Sequence, residues 1–361
     1  MNLVTNWFRQ TFSDPQIVFL AVALLSFFLI VIFLGGYLMP VLASAVIAYL
    51  LEGIVGMLER HGVNRLLAVI TVFIGFMLFV TLVIFGLIPS LSRQITQLVA
   101  DLPQYIAQGQ QALMQLPDQY PEYISVEYVQ EISRVIRQEM TEFGQSIVTE
   151  SLSSVIGVIT IMIYLVLMPL LVFFFLKDKL LICRWFTSFL PENRSFAKTV
   201  WDDMDRQVAN YVRGKFWEII IVWAFSYLAF TLFGLQYAML LAVLVGLSVI
   251  IPYIGAAVVT FPVMLIAWFQ WGWGQDFIWL MVTYTVIQAL DGNVLVPMLF
   301  SEVVNLHPVA IVVAILVFGG FWGFWGVFFA IPLATLVQAV ISAWPRQTAN
   351  NDQESLPQSA Q

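Results

Sequence analysis

The residues able to do chemistry crowd into one short part of an otherwise apolar chain. Asp291, Gly292, Asn293, Pro297, Glu302, His307 and Pro308 fall within 18 residues of one another. Between Glu218 and Pro345 there is no Lys or Arg, so Asp291 or Glu302 at membrane depth has no basic neighbour along the chain. Such a carboxyl must be protonated, wetted, bound to a cation, or met by a base from elsewhere. Asp291, followed by Gly292 and Asn293, would offer carboxylate, amide and bare carbonyl groups to a small polar solute, a monovalent cation or a proton. The plainer alternative is an acid capping a helix at the membrane surface. His307, as an imidazole, could pass protons or contact a ligand, or simply bond a carbonyl at the interface. Gln288, Asp291, Asn293, Glu302 and His307 are the candidates for a substrate or ion pathway.

A second group of residues breaks or bends helices. Gly292, Pro297 and Pro308 interrupt the helix around Asp291, and released backbone is tolerated at membrane depth only beside protein or a water-filled cavity. Pro252 and Gly255 predict a broken helix or hairpin within the long apolar stretch 235–271. Gly319, Gly320, Gly323 and Gly326, with Pro332 beyond them, allow close helix contact or bending, and the interleaved Phe321, Trp322, Phe324 and Trp325 suit a hydrophobic constriction.

Catalysis finds no support. HExxH and GxSxG do not occur, no motif calls for a cofactor, and no P-loop suggests nucleotide hydrolysis. Asp202, Asp203 and Asp205 point in different directions around a helix and read as a solvated face, and Glu302 with His307 has no further His to complete a metal site. The remaining rivals are a transporter and a membrane scaffold that works through its polar segment. The scaffold predicts activity that survives loss of Asp291 but not of residues 90–150.

Helices spanning a lipid bilayer must position these residues. The chain of 361 residues is 61% hydrophobic and 10% charged, which places it in the membrane class. Its net charge of −7, without a basic stripe, gives no footprint for nucleic acid. Cys183 is the only cysteine, so no intrachain disulfide is available. The start lacks a small-residue cleavage site and reads as retained. The expected fold is all-α: a polytopic helical integral membrane protein of about eight apolar segments, some broken or re-entrant, plus an extramembrane helical hairpin.

Residues 1–88 form the first membrane helices, with Gly35, Gly36 and Pro40 turning 17–51 into a tight helical hairpin. Residues 89–151 are polar and carry two amphipathic patterns, Leu91, Ile95, Leu98 and Leu102, then Val129, Ile132, Ile136, Met140, Phe143 and Ile147. They predict two helices packed on each other. Residues 152–176 span, 177–215 form a polar helical segment, 216–344 complete the membrane domain, and 345–361 form a disordered tail. Segment 177–215 has eight basic residues against five acids, and 89–151 has three against eight. The positive-inside rule therefore places 177–215 in the cytoplasm and 89–151 outside. Trp268, Trp271, Trp273 and Trp279 mark a turn at headgroup level.

The order Gln288, Asp291-Gly-Asn293, Leu295-Val-Pro297, Leu306-His-Pro308, Gly319-Gly320, Gly323-Phe-Trp-Gly326 and Ala330-Ile-Pro332 resembles the signature of the autoinducer-2 exporter family, and within it the PerM-type permeases. The likeness runs from about residue 17 to about residue 344. It implies a multi-pass transporter of the bacterial inner membrane, with residues 89–151 periplasmic. For substrate it implies a small polar signal molecule, with sodium/proton exchange as the alternative. It also implies a homo-oligomer and points to a pentamer.

Overall fold

The computed structural model describes residues 15–115, 117, 129, 131, 134, 135, 138, 155–188, 195–252, 254–300 and 307–343. All regular structure among them is helical. In order the helices are α1 (Pro15–Arg60), α2 (Arg65–Leu82), α3 (Ile88–Met114), α4 (Val155–Lys177), α5 (Lys179–Ser188) and α6 (Ser195–Phe233). After these come α7 (Ala238–Ser248), α8 (Ile254–Trp271), α9 (Gln275–Leu290), α10 (Val296–Phe300), α11 (Pro308–Phe328) and α12 (Ala330–Ala343). Six helices among the described residues are long and apolar enough to cross a bilayer, and Ile163–Lys177 and Ala238–Ser248 are shorter apolar helices. The protein is a polytopic α-helical membrane protein. Phe85, Leu232 and Trp273 are each 77% exposed, a surface that suits lipid rather than water.

The chain divides into two compact units. The larger holds residues 37–183 and 209–303, and the smaller holds 1–36, 184–208 and 304–361. The larger unit has two apolar cores. One joins Val222 and Phe230 of α6, Leu241 and Val245 of α7, Val263 and Ala267 of α8, and Leu280 and Tyr284 of α9. The other joins Ala48 and Val55 of α1, Ala68 and Val69 of α2, and Val172 and Leu176 of α4. Arg65 ties the second core at one end, donating to the Leu176 carbonyl at 2.9 Å while pairing with Glu52 and Glu59.

Prolines shape these helices in two ways that the sequence does not announce. Pro40 does not divide α1, which runs unbroken for 46 residues, so the hairpin expected over 17–51 is corrected to a single helix. The buried Ser44 hydroxyl donates to the Pro40 carbonyl at 2.6 Å, which shows that the helical path continues through the proline. At Pro89 and Pro297 the helix widens. The N–H of the residue before each proline reaches back five positions, Ile88 to the Val83 carbonyl and Val296 to the Asp291 carbonyl. The resulting π turns, Val83–Leu87 and Asp291–Leu295, accommodate a ring that would otherwise strike the carbonyl four residues back.

The expected break within 235–271 is present: α7 ends at Ser248 and α8 begins at Ile254. Gly255 makes the close turn between them, since a Cβ there would run into the Ser248 carbonyl. The tryptophan-rich turn also forms, with Gly272 at φ +61° and the Trp273 ring against Trp268 and Phe277.

Helix α3 packs by Leu91, Leu98 and Tyr105 onto the α6–α9 core. The second amphipathic pattern lies almost wholly outside the described residues. A polar clip fixes α3 to the start of α7. Gln94 accepts from the Leu240 N–H at 2.9 Å, and Asp101 accepts from the Tyr237 hydroxyl at 2.5 Å. Tyr105 donates to Gln236 at 2.7 Å. The first N–H groups of a helix lack internal partners, and a nearby carboxylate suits its positive end. Burial, and then donation to Asp101, raise the Tyr237 hydroxyl well above the ordinary tyrosine range, so it remains a donor at physiological pH.

Candidate functional site

Asp291 is the first residue of the π turn after α9. It is 8% exposed, and its Oδ1 is buried without a hydrogen-bond partner. The widened turn keeps Asp291 on a helical path rather than opening the chain at Gly292 and Pro297. Those two residues are exposed, and the helix resumes at once as α10. The expected interruption is therefore a local widening, caused by the ring of Pro297.

The base absent from the neighbouring sequence comes from α6. Lys215 and Glu218 are three residues apart on that helix, with side chains 5% and 2% exposed. Lys215 Nζ stands 2.8 Å from Glu218 Oε2 as an ion pair. The same ammonium donates to the Val249 carbonyl at 2.7 Å. Both Lys215 and Glu218 interact electrostatically with Asp291. The Phe300 ring at the end of α10 covers the ammonium from 5.3 Å and lies 5.8 Å from the ring of Tyr211. Gly214 lets it settle there, because a Cβ at that position would meet the ring at 2.7 Å. The site thus draws on α6, the C-terminal end of α7 and the α9–α10 segment, all in the larger unit.

Among the described residues, these two acids and one base, all buried, leave one negative charge in excess when every group is ionised. A low-dielectric interior does not tolerate that excess, so the site retains a proton or attracts a cation. Of the alternatives open to Asp291, a base from elsewhere in the chain is present, since Lys215 acts on it electrostatically.

The other sequence candidates fall elsewhere. Gln288 donates to the Tyr284 hydroxyl at 2.6 Å, and that hydroxyl is 3.1 Å from Thr260 Oγ1. Asn293 is exposed and donates to the Ala289 carbonyl at 2.8 Å. Glu302 lies outside the described residues. His307 caps α11, its Nδ1 accepting from the Val309 N–H at 3.3 Å, and Pro308 is the first residue of that helix. In the smaller unit Gly323 bends α11 with φ +59° and ψ −134°. A Cβ at Gly319 would meet the Val327 side chain and one at Gly326 the Phe318 carbonyl, whereas one at Gly320 would face open space. Pro332 is buried in the first turn of α12. Phe321 and Phe324 are exposed there, while Trp322 stacks on Phe318 and Trp325 on Phe329.

Lys215 and Glu218 were not among the sequence candidates. Their signal was an acid three residues after a base at the start of an apolar run, which places both on one helix face.

A polytopic helical bundle with ionisable groups buried among its spans has the make-up of a membrane transport protein. The comparisons narrow that class. The profile described as "AI-2E family transporter" matches residues 17–346, and the chain belongs to that family. It is 46% identical over 348 residues to "Putative permease PerM" of Escherichia coli K12, covering 96% of this chain and 98% of that protein. "Putative transport protein YueF" of Bacillus subtilis is 26% identical over 316 residues, covering 86% and 84%. "Putative transport protein YrrI" of the same organism is 25% identical over 306 residues, covering 84% and 85%.

Proposed function

We propose that this chain is a permease that moves a small polar solute, autoinducer-2-like by family, across the inner membrane without nucleotide hydrolysis, and that Asp291 handles a proton or monovalent cation that crosses with it. The observation that carries this reading is the buried Asp291 carboxyl with an unfilled Oδ1, beside the Lys215–Glu218 pair and at a π turn. Acids at membrane depth are costly, and π turns concentrate at working sites. The chain acts as a transporter and not as an enzyme, and the gradient of an ion or of the solute itself drives it. It works as a homo-oligomer, a pentamer by family resemblance.

The test is reconstitution into liposomes with candidate solutes and imposed pH or Na⁺ gradients. Asp291→Asn keeps the shape and removes the charge. Its transport should fall at least tenfold and lose its dependence on the imposed gradient. Transport at the wild-type rate across pH would refute the coupling role, and would favour a scaffold if residues 90–150 then proved essential.

The same reading places 177–215 in the cytoplasm and 89–151 outside. Cys183 is exposed and is the chain's only thiol, so a membrane-impermeant maleimide should label it in inside-out vesicles and not in spheroplasts. Labelling in spheroplasts would reverse the assignment.

A further inference from the structure

Lys215 occupies an unusual place for a basic residue. Helix α7 has 11 residues and rises about 16 Å, half the roughly 30 Å of a hydrocarbon layer. A helix of that length is too short to cross the layer, and its C-terminus carries partial negative charge on released carbonyls. In broken transporter helices, such ends and unwound carbonyls hold cations. Here the Lys215 ammonium sits at that end, 2.7 Å from the Val249 carbonyl and 2.8 Å from Glu218. Phe300 stands 5.3 Å away, and Asp291, whose buried Oδ1 has no hydrogen-bond partner, interacts with the ammonium electrostatically.

We propose that the Lys215 ammonium is a tethered cation filling a monovalent-cation site made by the Val249 carbonyl, Glu218 and Asp291, which a free cation of similar size occupies when the side chain withdraws. The proposal rests on the reading that this cluster lies on the transport route, and it assigns the ligand there. The donors support it: two carboxyls, a helix-end carbonyl and an aromatic face are all attractive to a compact positive charge. The excess negative charge gives the same sign. The tether accounts for a base buried beside two acids when a single acid would neutralise it. Asp291, with an oxygen to spare, is the second partner for the ammonium as it leaves Val249.

Lys215→Ala deletes the part of the side chain equivalent to propylammonium and tests the idea directly. The purified full-length variant is melted in NaCl, propylammonium chloride or choline chloride at equal ionic strength, beside the wild type. Sodium or propylammonium should raise its melting temperature over choline by about 5 °C at saturation, and the wild type should show no such difference. Lys215→Ala/Asp291→Asn leaves one acid, folds at less cost, and should keep a propylammonium response through Glu218 and Val249. Melting that is indifferent to the cation in the folded variants would overturn the proposal. So would failure to recover either variant when it is produced and purified with propylammonium present. The readout needs no transport. A negative melting result therefore leaves the Asp291→Asn prediction standing, and wild-type transport by Asp291→Asn leaves the cation site to be judged by melting alone.

Discussion

Lys215→Met is expected to destabilise the folded protein by about 3–5 kcal/mol, and Glu218→Gln by distinctly less. A buried ion pair contributes little net stability, but removing one partner strands the other charge in a poor solvent for it. The two partners are not equivalent here. Without Lys215, Glu218 and Asp291 remain as two buried acids that have lost the base acting on both, and the Val249 carbonyl loses its donor. Without the Glu218 charge, Lys215 still donates to Val249 and still has Asp291 in electrostatic reach. Denaturation in detergent, followed by tryptophan fluorescence, would give the order. Equal losses, or a larger loss for Glu218→Gln, would show that Asp291 is not a second partner for the ammonium.

Gly255→Val should be as damaging, for a steric reason. Even a Cβ at this position would strike the Ser248 carbonyl, which is backbone and cannot swing aside like a side chain. The start of α8 must then move away from the end of α7. Overpacking a core costs about 1–3 kcal/mol, and a clash with main chain belongs at the top of that range or beyond it. Displacement also draws the Val249 carbonyl off Lys215, so the polar site loses geometry together with the fold. A thermal melt in detergent is the measurement. An unchanged melting temperature would mean that the turn relaxes freely and is not held by the approach of Gly255 to Ser248.

Much of this architecture was legible from the amino acids, and its limits have physical causes. Apolar runs, the α7–α8 break at Pro252 and Gly255, the bend at Gly323 and the turn at the tryptophans all depend on local chemistry, which the sequence displays. Pro40, Pro89 and Pro297 were harder to read. A proline states which hydrogen bond is lost but not whether the helix stops, continues or widens to a five-residue reach. The packing of α3 also escaped the sequence, because an apolar face at Leu91, Leu98 and Tyr105 does not say which partner it meets. The candidate site was half visible. Asp291 stood out as an acid in a long apolar setting. Its base lay 76 positions earlier in the chain, in what composition had marked as the end of a polar segment. Gln288, Asn293 and His307 satisfy themselves with near neighbours, which spacing alone does not foretell.

Helices α2 and α3, with the π turn between them, form one uninterrupted stretch of 50 residues. At 1.5 Å per residue this is a strut of about 75 Å, more than twice the thickness of the oily layer. A strut of that length acts as a lever, and the clip from Gln94 and Asp101 to Leu240 and Tyr237 fastens it to the top of α7. A load on the polar arm would pull on the short helix whose far end receives Lys215. The widened turn at Val83–Leu87 is where the strut would yield.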